Sequence, residues 1–272
     1  MSLLSLKNVG KEYGDQVVLE RINVNVKEGE FVSIVGASGC GKTTFLKMLL
    51  GTETPSKGDL LLDGKVIPNE PSAERGIVFQ RYSVFPHLTV FENVVLGAEF
   101  EHSRFLGWVF GKSRQKFEQE ARAMLEQVGL GTSLDKYPHQ LSGGMQQRLA
   151  FAQALLKKPR ILLLDEPFGA LDPGIRGEMH ELITQLWREH HLTIFMITHD
   201  LKEAFGLGSR LWVFNKVRHD EQAPDAYGAN ITYDILLDKK PAGIYEQVSE
   251  VLGVASTDES LPETTNAKFS PS

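Results

Sequence analysis

Residues 36–43 read GASGCGKT and are followed by Thr44. Gly36, Gly41, Lys42 and Thr43 stand at the fixed places of the spacing G-x-x-x-x-G-K-[ST], with Ala37, Ser38, Gly39 and Cys40 between them. Glycines at 36, 39 and 41 let backbone N–H groups curl around phosphates without Cβ clashes. The N-terminus of the helix that follows would add its positive dipole. Lys42 supplies a charge between the β- and γ-phosphates, and the Thr43 hydroxyl can take one Mg²⁺ position. The spacing therefore predicts nucleotide binding. Cys40 reads most simply as a small residue that fits the loop; the alternative is a thiol whose modification blocks nucleotide access.

Residues 161–166 read ILLLDE, four apolar residues and then two acids, which fits a buried strand ending at the phosphate site. Asp165 would hold Mg²⁺ through water. Glu166, one step further, can point toward an attacking water. Phosphoryl transfer needs in-line geometry and charge neutralisation more than covalent chemistry, so Glu166 is the best candidate general base.

These groups need elements to hold them. Phe31–Val35 is a compact β-type run ahead of the glycine-rich turn, and Thr43–Leu50 reads as a helix closed by Gly51. Ile77–Phe79, Ile161–Leu164, Thr193–Ile197 and Leu211–Phe214 are further short runs, apolar throughout, as strands of a parallel sheet covered on both faces must be. Helical periodicity places Phe117, Ala121, Met124, Leu125 and Val128 on one face, and Ile175, Met179, Leu182, Ile183 and Leu186 on another after Pro173. A third helix starts after Ser142 as N-cap and runs to about Lys157. The segment Phe85–Phe151 carries helical patterns and no convincing strand, so it reads as a helical insertion. The first thirty residues and Gly58–Ile67 read as a smaller antiparallel layer, Arg218–Asn230 as a loop, and the polar stretch from about Gly253 as a disordered tail.

The chain has 272 residues, with 35 acids against 29 bases and a formal net charge of −6. Apolar residues make up 42%, which excludes collagen, coiled-coil rods and wholly disordered chains. The acidic balance argues against a nucleic-acid binder working by bulk charge. Cys40 is the single cysteine, so no intramolecular disulfide can form. The N-terminal segment does not read as a signal peptide, and no apolar run reaches the roughly 18 residues of a membrane helix. The expectation is a cytosolic chain, for which any membrane role must come through a partner.

Residues 141–148 read LSGGMQQR. With this motif between the two phosphate motifs, the chain resembles the nucleotide-binding subunits of ATP-binding cassette (ABC) transporters over about residues 1–215. The resemblance implies an α/β fold with a RecA-like P-loop NTPase core, a mostly parallel sheet, a small antiparallel β layer and an inserted helical subdomain at about 85–152, within an ATPase domain spanning 1–252. It implies ATP and Mg²⁺ as the bound species. Tyr13, in KEYGD, matches the aromatic that stacks on adenine. Gln80, in IVFQ, matches the glutamine that contacts Mg²⁺ and water. Asp172, in GALD, matches the loop that crosses to the opposite subunit. His199, in MITHD, matches the histidine that contacts the γ-phosphate and helps hold Glu166. Ser142, Gly143 and Gly144 match the residues that close over ATP bound to the other subunit.

By the same resemblance, two copies meet head to tail as a homodimer with two ATP molecules between them. Two integral membrane permease subunits dock near Gln80 and about Arg81–Gly111, and a solute-binding protein acts indirectly. The place is the cytoplasmic face of the cell membrane. FPHLTVFENV at 85–94 and Phe168 in DEPFGALD resemble importers, and the apolar stretch FLGWVFG at 105–111 reads either as packing within the insertion or as part of the partner groove. Without an extra C-terminal domain of about one hundred residues, the chain is most similar to the short ATPases of nitrate, sulfonate and taurine importers, which have relatives linked to urea and guanidine use. The competing class is a soluble ABC-type ATPase of nucleic-acid maintenance. Such chains place coiled coils or zinc modules between the phosphate loop and the signature, and here that gap shows no sustained heptads.

Overall fold

In the computed structural model, residues 2–80, 84–102, 112–218, 220, 222–223, 225–239 and 243–253 are described. The apolar stretch at 105–111, part of the expected partner surface at 81–111, and the tail beyond 253 lie outside them.

Alternating apolar residues build the first layer. In β2 (Gln16–Lys27), Ile22, Val24 and Val26 are buried while Arg21, Asn23 and Asn25 face outward. β1 (Ser2–Tyr13) pairs antiparallel with β2 and with β4 (Lys57–Leu62), and β4 pairs with β5 (Lys65–Val66), giving the order β2-β1-β4-β5.

The second sheet has the order β10-β9-β3-β8-β7-β6. Its members are β3 (Phe31–Gly36), β6 (Arg75–Val78), β7 (Ile161–Asp165), β8 (Thr193–Ile197), β9 (Arg210–Asn215) and β10 (Asn230–Leu236). β6, β7, β8, β3 and β9 run parallel, and β10 closes the edge antiparallel to β9. Every residue of β8 is buried, as a strand covered on both faces requires. On one face lies α1 (Lys42–Leu50), where Phe45 packs against Trp212 and Phe214 together with side chains of the antiparallel layer. On the other lie α4 (Gly143–Leu155) and α5 (Pro173–Glu189), packed with α2 (Val90–His102) and α3 (Lys112–Gln127). Between β6 and β7 the described residues form helices and turns and no strand.

The structure departs from the sequence reading at three places. Phe79 was expected to end a strand, but β6 stops at Val78 and Phe79 is exposed. Asn230, expected in a loop, opens β10; NITYDIL is half-buried and lacks a continuous apolar run. The preceding segment is itself anchored to the open edge of β2, with Val17 N donating to Asp225 O and Glu20 N to Ala229 O. After β10 comes α7 (Ile244–Leu252), which the sequence reading did not mark although Ile244, Val248, Val251 and Leu252 repeat at helical spacing; it packs beside α6 (Leu201–Leu207) against β9.

Candidate active site

The strand order decides which residues meet. β3, β8, β7 and β6 are neighbours, and their carboxyl ends carry respectively the glycine-rich loop, His199, the Asp165–Glu166 pair and Gln80. Open parallel sheets bind ligands at this edge.

The loop runs from Gly36 to the start of α1. Gly41, at φ +88°, caps the helix, and a Cβ there would come within 2.7 Å of Leu19 Cδ2. At Gly36 a Cβ would stand 2.5 Å from the Phe214 carbonyl oxygen. Only glycine fits at these two places. Ala37, Ser38 and Gly39 form the exposed crest of the loop, and Thr43 is exposed at the helix start. The Lys42 ammonium donates to Gly36 O at 2.7 Å and to Ala37 O at 2.8 Å, so its charge lies across the loop. Cys40 is buried beneath it, with Lys42 Nζ 3.8 Å from Sγ. Burial pushes the thiol upward against the pull of Lys42, which favours the inert, protonated form and the reading of Cys40 as a residue that simply fits.

Asp165 ends β7. Burial, and then the charge of Glu166, raise its carboxyl; the Thr43 hydroxyl, Lys42 and Lys47 oppose them. A neighbouring carboxylate raises a carboxyl in this way, and a hard cation beside Asp165 would oppose it. Glu166 sits at φ +48°, a left-handed conformation rare for a residue with a side chain. Its N–H donates to Ile197 O at 3.0 Å, which ties the residue to β8. Gln80 Nε2 donates to Glu166 Oε2 at 3.2 Å, and His199 Nδ1 lies 3.6 Å from the same oxygen. Gly169 faces this group: a Cβ there would lie 3.5 Å from His199 Cε1 and 3.7 Å from Gln80 Nε2.

Tyr13 ends β1 with its ring exposed and the Lys11 ammonium 4.8 Å from the ring centre. Its hydroxyl is raised by burial and by Glu53, with Thr44 of α1 acting the other way, so the ring stands beside the phosphate-loop helix.

The remaining expected residues lie elsewhere. Asp172 is exposed at the N-cap of α5. Ser142 caps α4, its Oγ accepting from Met145 N at 3.3 Å. Ser142 and Gly143 are exposed, and Gly144 is buried where a Cβ would meet Ile175 Cγ2 at 2.5 Å. Among the described residues no hydrogen bond or ion pair joins Ser142, Gly143, Gly144 or Asp172 to the phosphate loop or to Glu166. One chain thus brings the loop, the carboxylates, Gln80 and His199 to one edge, and leaves Ser142 and Gly143 of LSGGMQQR exposed.

Sequence reasoning missed a polar group behind His199, in which half-buried Arg176 and His180 meet the buried Thr198 and Glu203. The only hint was a lone acid, Glu203, at a position buried in a short helix. It also read Phe168 only as a family marker. The side chain is fully buried, edge-on to His180 with ring centres 4.9 Å apart.

Comparison with known proteins places this arrangement. A family model described as ABC transporter matches residues 19–169, more than half of the chain. The chain belongs to the ABC transporter family. It is an ATP-hydrolysing cassette, and its mixed fold of parallel and antiparallel sheets with helices is the cassette fold. The bicarbonate transport ATP-binding protein CmpD of Synechocystis is 43% identical over 226 residues, covering 80% of this chain and 76% of that protein. The spermidine/putrescine import ATP-binding protein PotA of Spiroplasma citri is 44% identical over 216 residues, covering 79% of this chain but only 59% of that protein. Among solved structures, the dimeric bacterial ABC transporter cassette MJ0796 superposes with a TM-score of 0.67 at 33% identity, covering 86% of this chain and 98% of that one. The same cassette is known as a dimer in a post-hydrolysis state bound to ADP and Pi. No helix among the described residues of this cassette is long and apolar enough to cross a membrane.

Proposed function

We propose that two copies of this cassette close head to tail on two ATP molecules and drive solute import through two integral membrane permease subunits. The observation that carries this reading is the division of the site. Gln80 and His199 converge on Glu166 Oε2, while Ser142 and Gly143 of the signature are exposed and, among the described residues, joined by no hydrogen bond or ion pair to the phosphate loop of their own chain. A second copy would supply them. The dimeric form of a cassette of this family supports that arrangement.

In this reading the loop N–H groups from Ala37 to Thr44, together with Lys42, bind the phosphates, and Tyr13 stacks on adenine. Glu166 takes a proton from the attacking water as its oxygen bonds to the γ-phosphorus and the bond to the β–γ bridging oxygen breaks, giving ADP and phosphate. Gln80 holds the glutamate oxygen, and His199 spans from it to the γ-phosphate. The hydroxyl of Thr43, the carboxylate of Asp165 and the amide of Gln80 form the hard oxygen set that suits Mg²⁺. Bound Mg²⁺ would neutralise charge on the phosphates. Ser142, Gly143 and Gly144 of one copy close over the γ-phosphate held by the other, and Asp172 crosses between the copies. ATP favours the closed pair and hydrolysis releases it, a population shift set by differential affinity.

The cargo reading is a small polar nitrogen or sulfur compound of the nitrate, sulfonate, taurine or urea and guanidine kind, delivered by a solute-binding protein to a complex at the cytoplasmic face of the membrane. Similarity to CmpD, named for bicarbonate transport, supports a solute of small-oxyanion size. A polyamine is the second reading, supported by the similarity to PotA.

Mixing subunits tests the shared site. Ser142→Arg and Lys42→Ala subunits, each inactive alone, should recover activity together because one intact composite site forms. No recovery at any ratio, with dimers present, would reject sharing. Co-purification with permease and solute-binding proteins, followed by identification of the ligand on the latter, decides the cargo.

A further inference from the structure

Behind His199 lies a cluster of polar side chains that the reading above does not use. Glu203, on α6, is 6% exposed. Thr198 Oγ1 donates to Glu203 Oε2 at 2.7 Å, and His180 Nε2 stands 3.3 Å from Oε1. Arg176 Nε lies 3.6 Å from the same Oε1, within ion-pair range but beyond hydrogen-bond length. That guanidinium also faces Asp200 Oδ2 at 3.4 Å and donates to Leu171 O at 3.2 Å. Asp200 N closes the ring by donating to Thr198 Oγ1 at 3.0 Å. Finally, Thr198 N is bound to Ile34 O of β3 at 3.2 Å.

The cluster therefore grips the residues on both sides of His199, namely Thr198 and Asp200. It also grips Leu171, the residue immediately before Asp172. A carboxylate at this depth persists only when paired and hydrogen-bonded. Burial pushes Glu203 up, but the hydrogen bonds of His180 and Thr198 and the charges of His180 and Arg176 outweigh it and hold the carboxyl below its ordinary range. It is an anion carried on α6 and held from two sides, by α5 and by the end of β8.

We infer that Glu203 is a positioning residue, which through Thr198 and Arg176 fixes the segment carrying His199 against the segment carrying Asp172. The inference rests on the roles proposed above for those two residues. His199 itself is largely exposed and meets Glu166 only at 3.6 Å. Its own side-chain contacts do not hold it, so its aim depends on the backbone beneath it. Loss of the anchor would misplace the imidazole while leaving the phosphate loop intact, and displacements of about 1 Å can cost on the order of 100-fold in rate.

The test uses the full chain assembled with its permease partners, comparing Glu203→Ala, Glu203→Gln, Thr198→Val and His199→Ala by ATPase kinetics, ATP affinity and thermal melting. Glu203→Ala and Thr198→Val should lower kcat by about 10-fold or more with KM changed less than about 2-fold. Glu203→Gln should recover most of kcat, because its amide oxygen still accepts from Thr198 and the side chain keeps its length and volume. Adding Glu203→Ala to His199→Ala should cost less than it costs in the wild-type chain, because the part that acts through His199 is already lost. If Glu203→Ala does not fold, Thr198→Val decides, since it removes one hydroxyl at nearly constant volume. Wild-type kcat in a folded Thr198→Val variant, with His199→Ala inactive, overturns the positioning role and leaves the proposed function standing. Wild-type kcat in His199→Ala overturns both.

Discussion

Gln80 Nε2 donates to Glu166 Oε2 at 3.2 Å although 86 positions separate the two residues in the chain. The bond spans the ends of two adjacent parallel strands, and His199 Nδ1, at the end of a third, stands 3.6 Å from the same oxygen, beyond hydrogen-bond length. A glutamate restrained in this way, on a left-handed backbone, is aimed before substrate arrives. Glu166→Gln should keep ATP affinity, lower turnover by about 10²–10⁴-fold and accumulate a closed dimer with ATP. Steady-state hydrolysis and size-exclusion chromatography at saturating Mg·ATP measure this; turnover at the wild-type rate would reject Glu166 as the base.

Lys42 places its ammonium across the crest of the phosphate loop. Hydrogen bonds to charged groups contribute about 1.5–3 kcal/mol, so Lys42→Ala should weaken ATP binding by roughly 10- to 100-fold. Calorimetric titration reads it directly, and undiminished affinity contradicts the assignment.

Gly36 has no space for a methyl group. Its Cβ would meet the Phe214 carbonyl at 2.5 Å and Cys40 Sγ at 2.8 Å, and the carbonyl belongs to a strand that cannot rotate away. Gly36→Ala should cost about 1–3 kcal/mol of folding stability and weaken nucleotide binding as the loop shifts. Chemical denaturation of the two proteins checks the first part.

Phe168 is fully buried in the core between Phe151 and His180. Phe168→Ala should destabilise the fold by about 3–5 kcal/mol, while Phe168→Leu should cost much less. Similar melting temperatures for the two variants would show that the ring is not anchoring this part of the core.

Glu203 contributes a pH dependence whose sign follows from its environment. Its carboxyl is held below its ordinary value by His180, Thr198 and Arg176 despite burial. The unfolded chain therefore binds a proton that the folded chain refuses. The stabilisation is fully present above the unfolded value and is lost as pH falls through the folded one. Glu203→Gln should flatten the acid limb of stability against pH and leave the neutral limb parallel to wild type. An unchanged acid limb would assign that limb to other carboxylates.

What could be read from the chain alone was local. GASGCGKT, ILLLDE and LSGGMQQR each hold their chemistry within eight consecutive residues, and the apolar runs at Phe31–Val35 and Thr193–Ile197 need only their own composition to declare themselves as buried strands. β10 was less legible, because an edge strand buries too little to impose a continuous apolar run; α7 did carry a signal, Ile244, Val248, Val251 and Leu252 at helical spacing, over only nine residues. Only the tertiary structure decided that Gln80, Glu166 and His199 share one oxygen, since this depends on β6, β7 and β8 lying side by side. It alone revealed that Glu203 is a buried anion. Charge patterns do not record depth, and Arg176, His180 and Thr198 become its partners only when α5 packs beside α6 and β8.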